Sequence, residues 1–194
     1  MNEARYQAWM IPMIKVQQVN ASPHTVDELV EAGKYGDKLW FCETLNGLAR
    51  LDSQLVENDE LINQRSLSEV NQNELTDHIT LSQLWTLGAY ELIRTFYQKI
   101  EKENPSFEKI KTLVSLFGEL RMPLAKFEVK GENRKKANVN RDEQYSIARP
   151  GFAKDQGLGW IIGREKFTTR RELADRLMDC LSEYEHYYNS RIFM

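Results

Sequence analysis

The chain has 194 residues, a net charge of −3 and a hydrophobic fraction of 41%. This composition is typical of one globular domain and excludes a disulfide scaffold or a long disordered chain. The two cysteines, Cys42 and Cys180, form no C-x-x-C pair, which favours a reducing compartment. No apolar run approaches the roughly 18 residues of a membrane span, and Pro12 interrupts the apolar N-terminal run. We therefore expect a cytoplasmic single domain, residues 1–194, with no signal peptide and no membrane association.

Charge is distributed unevenly along the chain. Residues 1–104 carry 9 Lys or Arg against 16 Asp or Glu, whereas residues 121–172 carry 13 against 7. This asymmetry has two interpretations: the basic segment binds an anionic partner, or the two halves neutralise each other in the fold.

Two helices are predicted before residue 56. Thr25 and Glu28 form a capping box that opens a short helix ending at Gly33. A longer helix, roughly 37–55, has one apolar face, formed by Phe41, Cys42, Leu45, Leu48, Ala49 and Leu55. Asp52 falls within this apolar sector, where it is expected to cap a neighbouring helix or to pair with a buried arginine. Residues 56–76 show no apolar periodicity and are predicted to form a loop.

The stretch 80–100 is the strongest structural signal in the chain. As a helix it is apolar around most of its circumference, which places it at the centre of a bundle. Its predicted core face consists of Leu81, Leu84, Trp85, Gly88, Leu92 and Phe96. Gly88 indicates a close approach of another helix. The next helix is predicted to begin near Ser106, and Pro123 to kink or end it.

The segments LSQLWTLGAYELIR (81–94) and LRMPLAKFE (120–128) resemble segments of uncharacterised bacterial helical proteins with the general appearance of HEPN domains. The resemblance covers about a third of the chain and implies a helical domain that binds nucleotides or cleaves RNA. HEPN ribonucleases carry an arginine followed four to six residues later by histidine. Neither Arg94 nor Arg121 is followed by such a histidine, so the resemblance does not support a ribonuclease.

The C-terminal third differs in character from the rest of the chain. Residues 129–142 are polar and basic, and we expect a mobile loop there. Residues 144–148 and 157–163 are predicted to form a β-hairpin, and Thr169 and Glu172 form a second capping box that opens a final helix. The predicted fold is thus mainly α: a bundle of about four helices over 1–128, the basic loop, and a small β-hairpin with a C-terminal helix over 143–194.

A ligand-binding cleft is the first candidate site. Glu91 and Arg94 lie three residues apart on the narrow polar stripe of the central helix, and Gln98 and Arg121 complete the candidate set. Rigidly held charges of this kind suit a binding site. The alternative is an intrahelical ion pair worth only about 0.2–0.5 kcal/mol.

A nucleic-acid interface is the second candidate site. Basic residues of the loop, the hairpin and the last helix could form one positive patch that contacts phosphates. The candidates are Lys130, Arg134, Lys135, Lys136, Arg141, Arg164, Lys166, Arg170 and Arg171.

Common catalytic and metal motifs are missing from the sequence. It has no H-E-x-x-H, C-x-x-C, EF-hand, Walker or G-x-S-x-G motif, so no metal, cofactor or catalytic residue is predicted. The leading hypothesis is a non-catalytic, self-associating interaction protein. Its contact surface would include the run 9–11 and the tail aromatics Tyr187, Tyr188 and Phe193. The alternatives are a nucleic-acid-binding protein, in its most specific form a HEPN-like RNA-processing or defence protein, and a protein with a small-molecule pocket beside Glu91 and Arg94.

Overall fold

A computed structural model describes residues 1–20, 35–65, 69–100, 102–126 and 144–183 of the chain. The predicted helix at 25–33, the whole predicted basic loop (129–142) and the tail aromatics lie outside these described residues.

Two short helices begin the chain. Helix α1 spans Glu3–Ala8, and the side chain of Asn2 caps it by accepting a hydrogen bond of 3.0 Å from the backbone N–H of Arg5. Helix α2 spans Met10–Asn20. Proline is tolerated in the first turn of a helix, where the backbone N–H has no intrahelical partner. Pro12 therefore does not prevent α2 from forming.

Helices α3 (Tyr35–Asn63) and α4 (Gln72–Lys99) are both longer than predicted. The predicted loop over 56–76 is too long at both ends, because α3 continues through Asn63 and α4 begins at Gln72. The buried positions of this region include the polar residues Asp59 and His78. A search for apolar periodicity counts polar residues as exposed. It therefore did not identify the helices at these positions.

The buried stripe of α4 differs in part from the predicted face. Leu81 and Leu84 are exposed, whereas His78, Ser82 and Thr86 are buried. Trp85, Leu92 and Phe96 lie in the core as expected. The close approach at Gly88 is confirmed, since a Cβ added there would lie 3.3 Å from Cδ2 of Leu48 on α3.

Helix α5 spans Phe107–Ala125 and packs against α4. Phe117 contacts Trp85, with ring centroids 6.3 Å apart. Pro123 does not end this helix, which runs two residues beyond it. The side-chain amide of Gln83 donates a hydrogen bond of 2.9 Å to the carbonyl of Leu124 near the end of α5.

A three-stranded antiparallel sheet precedes the last described helix. Strands β1 (Gln144–Ala153), β2 (Gly157–Gly163) and β3 (Phe167–Thr169) lie in the order β1-β2-β3, so a third strand joins the predicted hairpin. Helix α6 (Arg170–Ser182) follows β3 directly. Its predicted capping residue is confirmed: the hydroxyl of Thr169 accepts a hydrogen bond of 3.1 Å from the backbone N–H of Glu172.

The fold is therefore mainly helical with a small antiparallel sheet, as predicted. Among the described elements, every helix except α1 contributes residues to the core, as do strands β1 and β2. Helices α5 and α6 pack against the sheet and supply the cover that an isolated hairpin lacks. Within the described ranges, no helix is both long enough and apolar enough to cross a lipid bilayer.

Candidate functional site

Arg170, the first residue of α6, is fully buried between two carboxylates of α3. Its guanidinium donates from Nη1 to Oδ1 of Asp52 and from Nη2 to Oδ2 of Asp59, the second contact measuring 2.8 Å. Asp52 and Asp59 are seven residues apart, so they lie on the same face of α3. Both carboxylates have an exposed fraction of 0%. The expectation that Asp52 pairs with a buried arginine is confirmed.

Asp52 also binds the N-terminal segment. Oδ2 of Asp52 accepts hydrogen bonds from Nε of Arg5 at 2.5 Å and from the indole N–H of Trp9 at 2.9 Å. Arg5 extends further to the carboxylate of Asp175 on α6. Trp9 is fully buried, so it does not form part of the contact surface predicted at 9–11. One carboxylate thus joins α1, α3 and α6.

Asp59 binds a histidine and the sheet. Its Oδ1 lies 2.8 Å from Nε2 of His78 and accepts a hydrogen bond of 3.0 Å from the backbone N–H of Leu158 on β2. Burial alone would raise the pKa of Asp59. The His78 hydrogen bond, the charge of Arg170 and the Leu158 N–H outweigh that effect and hold the pKa below its ordinary value of 3.8.

These contacts define the buried charge network: Arg5, Asp52, Asp59, His78 and Arg170. An aspartate–histidine pair is a common part of catalytic sites. Here the exposed fraction of the two side chains is 0% for Asp59 and 1% for His78, and the His78 ring stacks beside Phe152 at 6.0 Å. A substrate could not reach the pair in this conformation. The network instead connects α1, α3, α4, α6 and β2.

A groove between α2 and α3 is the first surface feature. It has a volume of about 230 Å³ and is lined by Tyr6, Met10, Met13, Ile14, Cys42, Glu43, Leu45 and Asn46. Beside it, Ile11 and Ile14 are exposed by 59% and 44%. The hydroxyl of Tyr6 donates a hydrogen bond of 3.1 Å to the side chain of Asn46, which joins α1 to α3 at one end. We refer to this groove together with Met10, Ile11 and Ile14 as the α2–α3 face.

The predicted cleft residues lie at the surface between α4 and α5. Nη2 of Arg94 is 2.6 Å from Oε2 of Glu91, and Nε of Arg121 is 3.4 Å from Oε1 of the same carboxylate. The guanidinium of Arg121 lies over the Tyr90 ring, 5.2 Å from its centroid. Gln98 is exposed one turn beyond Arg94. The structure thus brings Glu91, Arg94 and Arg121 together, and Arg121 adds a contact that the helical spacing alone did not reveal.

A second groove separates α5 from α6. It has a volume of about 310 Å³, and its lining includes Leu113, Leu116 and Cys180. Burial raises the pKa of the Cys180 thiol to about 11. The thiol is therefore protonated near neutral pH and does not supply a nucleophile.

The predicted nucleic-acid residues are distributed among different environments. Lys130, Arg134, Lys135, Lys136 and Arg141 lie outside the described residues. Arg164 is exposed, Lys166 pairs with Glu119, and Arg171 lies 3.9 Å from Glu60. The inclusion of Arg170 in a phosphate-binding surface is wrong, because its guanidinium is fully buried between two carboxylates. The rest of the interface stays a prediction.

Sequence reasoning missed Arg5, Asp59 and His78. Two signals could have found the last two. Asp59 follows Asp52 by seven residues, and His78 precedes the buried Trp85 and Leu92 by seven and fourteen. These spacings place the polar residues on the buried faces of their helices. Within the described ranges, no group of three or more His, Cys, Asp or Glu side chains is arranged to hold a metal ion.

Comparison of the chain with protein-family models, with curated proteins and with solved structures found no match in any of the three.

Proposed function

We propose that this protein is a non-catalytic interaction protein that self-associates through the α2–α3 face. The observation that carries the proposal is the exposure of Ile11 and Ile14 beside an open groove. Clustered exposed apolar side chains rimmed by polar residues mark protein interaction sites. Full burial of one isoleucine side chain is worth about 1.5–3 kcal/mol.

The shape of the face suits a second copy of the same chain. A two-fold symmetric interface uses the same patch on both subunits, so a side chain that projects from the patch is accommodated when the same patch also contains a recess. Ile11, exposed by 59% on α2, supplies the projection, and the groove that Ile14 lines supplies the recess. Ile11 of one copy would enter the groove of the other, and the symmetry would produce the same contact in reverse.

Charge on the face supports the same partner. Lys15 is exposed four residues after Ile11 on α2, and Glu43 is exposed on the α3 wall of the groove. In a two-fold arrangement, Lys15 of each copy can pair with Glu43 of the other. Such reciprocal pairs would fix the register of the two copies.

The buried charge network supports a non-catalytic role. Its aspartate–histidine pair and both of its arginine–aspartate contacts at Arg170 are sealed from solvent and connect elements of the fold. These buried contacts hold parts of the fold together and do not form an open reaction centre.

Sedimentation equilibrium of the purified chain tests the proposal. We expect a concentration-dependent monomer–dimer equilibrium, and an Ile11→Asp variant with a dissociation constant raised by about tenfold or more. Leu84→Asp is the matched control, because Leu84 is a similarly exposed helical residue (57%) on α4. A monomeric wild type at every concentration, or equal effects of the two variants, would contradict the proposal.

A further inference from the structure

We propose that Arg94 and Arg121 form a binding site for a small monoanionic oxyanion, a carboxylate or a phosphodiester. This site is separate from the α2–α3 face and does not depend on self-association.

Glu91 holds the two arginines unequally. Arg94 donates from both Nε, at 2.8 Å, and Nη2, at 2.6 Å, to Oε2 of Glu91. Nε of Arg121 lies 3.4 Å from Oε1 of the same carboxylate, a longer contact than either of those made by Arg94. Glu91 therefore positions Arg94 closely and neutralises Arg121 only weakly.

Counted over the described residues, the cluster carries one excess positive charge. It contains two guanidiniums and one carboxylate, and the side chains of Arg94 and Glu91 are exposed by 41% and 42%. An arginine always carries its charge in proteins. The excess charge is therefore permanent and accessible, and a single negative charge would balance it.

Arg121 is oriented by packing as well as by charge. Its guanidinium lies over the half-buried Tyr90 ring, and its side chain is exposed by 29%. Nε of Arg121 faces Glu91, and Nη1 donates a weak hydrogen bond of 3.7 Å to the Met122 sulfur. A ligand oxygen that displaces this weak acceptor meets the in-plane N–H groups of Nη1 and Nη2. The planar fork then suits an oxyanion with two acceptor oxygens. Such a group, attached to a small apolar body, could rest against Tyr90.

NMR detection of the arginine Nε–Hε groups tests this inference. The intact protein is titrated at constant ionic strength with propionate and, separately, with dimethyl phosphate, two monoanions that represent the two ligand sources. We expect saturable shifts at Arg94 and Arg121 with at least one probe. Arg176 is the matched control, since its Nη2 pairs with Glu172 at 2.7 Å and its side chain is 55% exposed.

Variants distinguish a site from a surface ion pair. Arg121→Gln should weaken the binding seen at Arg94 by about tenfold or more, because a charged hydrogen bond is lost. Arg121→Lys should weaken it less, because the charge remains. Glu91→Gln should tighten binding, because a competing carboxylate is removed.

The two probes identify the ligand class. Saturation by propionate alone supports a carboxylate ligand, and saturation by dimethyl phosphate alone supports a phosphodiester. The inference is overturned if neither probe gives saturable shifts, if Arg176 responds as Arg94 does, or if Arg121→Gln leaves the binding at Arg94 unchanged.

Discussion

Arg170 connects two carboxylates that would otherwise be buried without a shared cation. Removing one partner from a buried ion pair leaves an uncompensated charge and costs about 3–5 kcal/mol. Asp52 would retain Arg5, whereas the remaining described partners of Asp59 would be the Leu158 N–H and His78. At the scale of single residues, stability therefore depends strongly on which arginine of the Arg170–Arg171 pair is changed.

We expect Arg170→Met to lower the free energy of unfolding by about 3–5 kcal/mol, measured by urea denaturation. Arg171→Gln is the matched control. Its side chain is 20% exposed, its Nη1 donates a hydrogen bond of 3.4 Å to the carbonyl of Asp155, and its Nη2 lies 3.9 Å from the half-exposed Glu60. The change should therefore cost about 0.5–1.5 kcal/mol, well below the loss expected for Arg170→Met. A loss below about 1 kcal/mol for Arg170→Met would show that the network contributes little net stability.

The lowered pKa of Asp59 predicts an acid-dependent loss of stability. A carboxyl whose pKa is lowered by folding stabilises the protein above its unfolded pKa, and that contribution disappears as the pH falls through the folded pKa. The difference in unfolding free energy between wild type and Asp59→Asn should therefore be largest near neutral pH. It should shrink as the pH falls from about 5 towards 2. Urea denaturation at a series of pH values measures it, and a constant difference would contradict the assignment.

At the scale of elements, the turn between β1 and β2 is fixed by Gly157. Its φ of +73° lies in the left-handed region, and an added Cβ would overlap the carboxylate of Asp59. This close approach lets the neighbouring Leu158 N–H reach Oδ1 of Asp59. The glycine thus positions the sheet on α3.

Gly157→Ala should destabilise the protein by about 2 kcal/mol or more, because both the backbone and Asp59 would have to move. Gly47→Ala is the control: Gly47 lies inside α3 with nothing within 4 Å of an added Cβ. That change should stabilise the protein by about 0.5–1 kcal/mol through helix propensity. Thermal unfolding of both variants measures the contrast, and a neutral Gly157→Ala would contradict the described turn.

Helices with a clear apolar periodicity could be predicted from the sequence. The ends of helices that bury polar residues could not. The pattern around Trp85, Leu92 and Phe96 identified the central helix, and the Thr169 cap identified the start of α6. The extent of α3 and α4 depended on Asp59 and His78, which a hydrophobic pattern treats as solvent-exposed. Strand β3 has only three residues, too few for an alternating pattern.

At the scale of the whole molecule, the candidate sites depend on contacts between distant segments. Arg170 and Asp52 are 118 residues apart in sequence, and Arg5 and Asp175 are 170 apart. Helical spacing links residues three or four positions apart, so it found the Glu91–Arg94 pair and not the network. The exposure of Ile11 was likewise set by the way α2 packs, because the buried Trp9 lies only two residues away.

We propose that two copies of the chain pair through the α2–α3 face. A charge exchange between Lys15 and Glu43 tests it most directly, with the dimer dissociation constant measured by sedimentation equilibrium at low salt. We expect Lys15→Glu and Glu43→Lys each to weaken the dimer, because each places like charges opposite one another. The double variant restores opposite charges and should recover most of the wild-type affinity. Additive weakening in the double variant, or no effect of either single change, would contradict the claim.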